Sequence, residues 1–140
     1  MNIISASALL SVIIFSGPVM ADREFDCLAN TIYHVGHGED NDGKRLIGEL
    51  VINRVESDDF PDTICGVVYQ DGQFQWTKGT WPITMQSQYE ESVRISKELL
   101  NTKSTDMMPV LYYHHYMMPR PEWSYYRNRM LRHGEYIYYE

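Results

Sequence analysis

Cys27-Leu-Ala-Asn-Thr-Ile-Tyr-His-Val-Gly-His-Gly-Glu39, together with Phe60-Pro-Asp-Thr-Ile-Cys-Gly-Val-Val-Tyr-Gln70, decides how this chain folds. Phe25, Leu28, Ala29 and Ile32 recur at helical spacing, which predicts an amphipathic helix over residues 24–34. Gly36 and Gly38 end it in a turn suited to positive φ. Asp40, Asn41 and Asp42 then supply an N-cap for a second helix over residues 43–56. Its apolar stripe is Leu46, Ile47, Leu50, Val51 and Val55, with Lys44, Arg45, Glu49 and Arg54 expected outside. A turn over residues 57–61 leads into a short helix over 63–69.

Working outward, residues 70–83 are rich in Gly, Gln, Thr and Trp and read as an irregular loop. A third long helix is expected over 85–100, with Tyr89, Val93, Ser96 and Leu100 along one side. Residues 101–108 form another loop. Residues 110–116 have the β-branched and aromatic content of a strand, and residues 136–139 are expected to pair with it as the closing strand. Helices on a two- or three-stranded sheet make an α+β domain, mainly helical with a short antiparallel sheet.

The first 21 residues carry no ionisable side chain, and an apolar run from Ile3 to Phe15 precedes Pro18-Val-Met-Ala21. That is the layout of a secretory signal peptide cleaved after Ala21, leaving residues 22–140 as one small domain. The run is short of the roughly 20 apolar residues of a spanning helix, so no stable membrane insertion is expected after cleavage. The protein is expected to be secreted or periplasmic. In an oxidising compartment Cys27 and Cys65, the chain's 2 cysteines, are expected to form one disulfide. No Cys-x-x-Cys pair offers a zinc site.

A net charge of −7 makes nucleic acid a poor partner, because phosphates demand clustered Lys and Arg. A neutral or zwitterionic glycan fits better. With 11 Tyr, 3 Trp and 4 Phe, the chain has flat faces suited to sugar rings, although most of the tyrosines are expected in the core.

The quoted stretches resemble the SleB-type cell wall hydrolase family, whose members cut the glycan strands of peptidoglycan. Its pattern runs His-Glu-Ala-Arg-Gly-Glu where this chain has His34-Val35-Gly36-His37-Gly38-Glu39. The resemblance implies a lysozyme-like fold and a carboxylic acid that protonates the leaving oxygen. Valine stands at the first Glu of the pattern and cannot donate a proton. Glu39 matches the second Glu and is the candidate catalytic acid. Its alternative role is to cap the second helix or to pair with Lys44 or Arg45.

Gln73-Phe-Gln-Trp-Thr77 is similar to the family's Gln-Phe-Ser-Trp-Thr. Gln73 and Trp76 are expected in the cleft as substrate-binding residues, with Phe74 in the core. Tyr113-His-His-Tyr116 and His133-Gly-Glu-Tyr-Ile-Tyr-Tyr139 match more loosely, with Tyr136 at a histidine of the family pattern. His34, His114 and Tyr136 complete the candidate substrate-binding set.

The resemblance therefore implies a peptidoglycan glycan hydrolase or lytic transglycosylase that needs no cofactor. An alternative is a catalytically silent member that binds glycan or a partner protein. A second alternative is a metal-dependent hydrolase built on His34, His37 and Glu39 with His114 and His115. The His-Glu-x-x-His arrangement of metalloproteases is absent, so no metal is assigned.

Overall fold

The computed structural model describes residues 18–140. Residues 1–17, which hold most of the expected signal peptide, lie outside that range. Helix α1 spans Pro18–Val35, α2 Asn41–Glu56, α3 Ile64–Val68 and α4 Gln86–Leu100. Strands β1 (Tyr112–His115), β2 (Arg129–His133) and β3 (Tyr136–Tyr139) form one antiparallel sheet in the order β1-β3-β2. Among the described residues no helix is long and apolar enough to cross a membrane.

Capping sets the helix starts as the side-chain chemistry demands. Asp40 sits in extended backbone, and its Oδ1 accepts from the Gly43 N–H at 2.8 Å. Thr63 does the same for α3, accepting from the Gly66 N–H at 3.0 Å. Gly38 takes the expected positive φ, at +85°.

α1 packs against α2, α3 and α4. Leu28 and Ile32 of α1 meet Leu50 and Val51 of α2, Val67 and Val68 of α3, and Ile95 and Leu99 of α4 in one core. Gly48 permits the approach of α1 to α2, since a β-carbon there would lie 2.9 Å from Ile32 Cδ1. The disulfide joins Cys27 in α1 to Cys65 in α3 with the Cα atoms 5.4 Å apart.

Four expectations need correcting. α1 begins earlier than residue 24 and runs unbroken through residue 21. Lys44, Glu49 and Arg54 are buried rather than outside, because α2 is covered on several sides. Each finds a polar partner there: Lys44 Nζ donates to Gln88 Oε1, Glu49 accepts from Arg45 and the Met108 N–H, and Arg54 donates to Leu111 O.

The buried side of α4 is Ser92, Ile95, Ser96 and Leu99, while Leu100 is exposed. Residues 136–139 pair with β1 as expected, but as the middle strand of three rather than the closing one. The closing strand is β2, which shifts register between Arg129 and Leu131. A polar, arginine-rich segment makes an acceptable edge strand because charge there discourages pairing with another chain.

Candidate active site

A cleft of about 790 Å³ opens between the end of α1, the loop after α3 and the sheet. His34 and Val35 stand on one side because α1 stops there. A short 3-10 turn, Gln75–Lys78, carries Trp76 to the same rim, with Trp81 beyond it. Tyr113 and His115 of β1, Tyr136 of β3, and Trp123 close the other side. Arg54, from the last turn of α2, and Phe60 also line it. No Asp or Glu is among the lining residues.

His34 stacks on Trp76 with ring centroids 5.2 Å apart and planes at 25°, and Trp81 meets its edge. Burial, and secondarily His37, pull the His34 imidazole below its ordinary pKa, so it is neutral at pH 7. Trp76 is half-buried, and its Nε1 has no hydrogen-bond partner among the described residues. Gln73 accepts from Arg54 Nη1 through Oε1 at 2.9 Å, which leaves its NH₂ group as the available donor. Phe74 lies in the core, as expected.

His114 lines the cleft but spends both ring nitrogens internally. A carbonyl can only accept, so Nδ1 donates to His115 O at 3.0 Å and Nε2 accepts from the Tyr139 hydroxyl at 3.0 Å. What it offers a ligand is ring surface. The Tyr136 hydroxyl donates to Val35 O at 3.0 Å, pinning the end of α1 to the sheet. Burial, then the charges of Glu39 and Glu135, raise its pKa, so it stays protonated.

Glu39 is buried and does not line the cleft. Its Oε1 accepts from the Glu135 N–H at 2.9 Å, in the turn between β2 and β3. The helix cap is Asp40 rather than Glu39. The structure thus brings His34, Gln73, Trp76, His114 and Tyr136 to one cleft and leaves Glu39 outside its lining, bonded to the Glu135 N–H. Among the described residues no three His, Cys, Asp or Glu side chains converge as metal ligands.

Sequence reasoning missed Arg54, Trp81 and Trp123 as lining residues. The two tryptophans were findable as apolar faces in polar loops. Arg54 had no such signal, since its helical position suggested solvent.

A family model described as Cell Wall Hydrolase matches residues 38–139. A spore cortex-lytic enzyme of Oceanobacillus iheyensis is 30% identical over 54 residues, covering 39% of this chain and 20% of that protein. The chain thus spans about a fifth of the length of the curated relative it matches. The catalytic domain of SleB from Bacillus anthracis, a germination-specific lytic transglycosylase, superposes with a TM-score of 0.68 at 21% identity. That match covers 84% of this chain and 93% of the domain. The Bacillus cereus SleB catalytic domain gives a TM-score of 0.71 at 21% identity, covering 85% and 91%. The fold is shared with these lysozyme-like domains.

Proposed function

The chain belongs to the cell wall hydrolase family, and on that footing we propose that it acts on peptidoglycan, holding a glycan strand in the aromatic cleft. The observation that carries this reading is the wall made by the His34–Trp76 stack, Trp81 and the free amide of Gln73. Stacked rings supply flat apolar faces for sugars, and an amide supplies directed hydrogen bonds.

Lytic activity is the reading that family membership favours, with Glu39 as proton donor to the glycosidic oxygen. On this reading the Glu39 side chain leaves its bond to the Glu135 N–H and turns toward the cleft to reach a bound sugar. A second reading is favoured by the absence of Asp and Glu from the cleft lining. It makes the protein a glycan-binding member that does not cut.

A peptidoglycan zymogram run beside a sacculus-binding assay tests both, with the parent protein and Glu39→Gln. Cleavage by the parent that is lost in Glu39→Gln supports the lytic reading. Binding without cleavage by either supports the second. Neither binding nor cleavage by the folded parent overturns the glycan assignment.

Export fits the same function. Residues 1–21 serve as the signal peptide and residues 22–140 as the exported cell-wall-hydrolase-like domain, in the periplasm or outside the cell. Amino-terminal sequencing of protein recovered from an exporting host should begin at Asp22. A first residue of Met1 in exported protein would reject the cleavage site.

A further inference from the structure

Arg54 is 3% exposed, yet it lines the cleft, and all of its partners are neutral. Its Nε donates to Leu111 O at 2.8 Å and its Nη1 to Gln73 Oε1 at 2.9 Å. The guanidinium carbon stands 4.8 Å from the centre of the Phe60 ring, 5.9 Å from Phe74 and 6.0 Å from Tyr112. It forms no ion pair among the described residues. Burial pulls its pKa down to about 10, so the full positive charge remains at neutral pH.

Such a charge is expensive to leave unpaired, and surrounding aromatic faces offset only part of its desolvation. A guanidinium also carries five N–H donors, and the bonds to Leu111 and Gln73 use Nε and Nη1, leaving Nη2 for a ligand. The lining sets no carboxylate beside this cation. In a chain of net charge −7, the cleft therefore reverses the sign of the molecule. A neutral sugar would leave that feature unused.

We propose that the cleft takes its glycan strand with a carboxylate-bearing sugar placed against Arg54, so that the preferred ligand is a strand whose lactyl ether acids are free of peptide. This rests on the glycan reading above and specifies its substrate class. The carboxylate accepts a charge-assisted hydrogen bond from Nη2 of a guanidinium that is itself almost wholly out of water. Amidation of the same acid by a stem peptide removes the charge and adds bulk beside Arg54. The strand offered to this protein would thus come from a reaction that cleaves the sugar–peptide amide.

The test is calorimetric binding of the folded parent protein to four probes of matched length. These are peptide-stripped strands, the same strands with acids converted to methylamides, strands with peptides intact, and neutral chitin oligomers. Stripped strands should bind about 10–100-fold tighter than the methylamides, the scale of one charge-assisted bond, with the gap narrowing in high salt. Equal binding of stripped strands and methylamides overturns the inference while leaving the glycan reading intact. Tightest binding to strands with intact peptides also overturns it, by placing the anion on the peptide.

Failure of every probe to bind defeats the glycan reading itself. On the protein side, Arg54→Lys should retain part of the discrimination and Arg54→Met should abolish it, with folding checked by circular dichroism. Should Arg54→Met fail to fold, the four probes on the parent still decide the matter.

Discussion

The carboxylate of Glu39 fills the space that a β-carbon on Gly134 would need. Gly134 has φ +52°, and the next residue, Glu135, donates its N–H to Glu39 Oε1. The loop between α1 and α2 is thereby fastened to the turn between β2 and β3. That turn delivers Tyr136 to the cleft wall, where its hydroxyl reaches Val35 O. Gly134→Ala should therefore cost about 1–3 kcal/mol, from left-handed backbone strain plus displacement of a buried carboxylate. Urea unfolding measures it, and a midpoint equal to the parent's would mean that the turn yields freely.

Cys27 and Cys65 are 38 residues apart in sequence. Closing a loop of that size restricts the unfolded chain and is worth about 3–4 kcal/mol. Mass spectrometry of the mature protein should show the loss of two hydrogen atoms relative to its reduced form. Cys65→Ala should unfold at lower urea by that amount. Ready alkylation of both thiols without reductant would show the bridge to be absent in solution.

The four helices were legible in place because apolar spacing and the α2 cap are local, although the buried face of α4 was not. The spacing of Leu28 and Ile32, and the Asp40 side chain at the start of α2, each encode a turn without help from the rest of the fold. β2 was not legible: Arg129, Arg132 and His133 carry no strand pattern, and the segment is ordered by pairing with β3. Arg54 shows the same limit at the site. Its helical position suggests solvent, and only the arrival of Leu111 from distant sequence, beside Phe60 from the turn after α2, makes that face part of the cleft. The aromatic wall was half legible, since Gln73 and Trp76 fall in one loop whereas Trp123 arrives from elsewhere.

The pairing of Asp40 with His133 makes stability depend on acid. His133 Nε2 lies 2.6 Å from Asp40 Oδ1 and so joins the α2 cap to the end of β2. The Gly43 N–H first, then His133, hold the Asp40 carboxyl below its ordinary range. A lowered carboxyl pKa contributes stability that is complete above the unfolded value, about 3.9, and lost as pH falls through the folded one. Asp40→Ala should therefore lower Tm near neutral pH and have progressively less effect as pH falls below the unfolded carboxyl range. A difference in Tm that stays constant across that range would remove Asp40 ionisation from the account.

Trp76 touches the ligand cleft while Phe74, two residues earlier, is in the core. Trp76→Ala should weaken glycan binding by about 1–3 kcal/mol, the scale of a lost aromatic contact, and leave the protein folded. Circular dichroism and sacculus binding read the two effects separately. Undiminished binding, or failure to fold, would assign Trp76 to the core instead.

Val35, which the sequence resemblance sets against the first Glu of the family pattern, lines the cleft beside His34, and its carbonyl accepts from the Tyr136 hydroxyl. A carboxyl introduced there would be partly desolvated among aromatic rings, which disfavours its charged form and raises its pKa toward the range of a working acid. Val35→Glu should therefore gain glycan cleavage over the parent, within the 10²–10⁴-fold scale that a placed general acid supplies. Release of soluble fragments from dye-labelled peptidoglycan measures the gain. Its rate should fall as pH rises through the pKa of the new acid. Val35→Gln, similar in size but without an ionisable proton, separates proton donation from altered shape. A folded Val35→Glu that still binds sacculi but cuts no faster than Val35→Gln would show that the cleft lacks more of the catalytic machinery than one carboxyl.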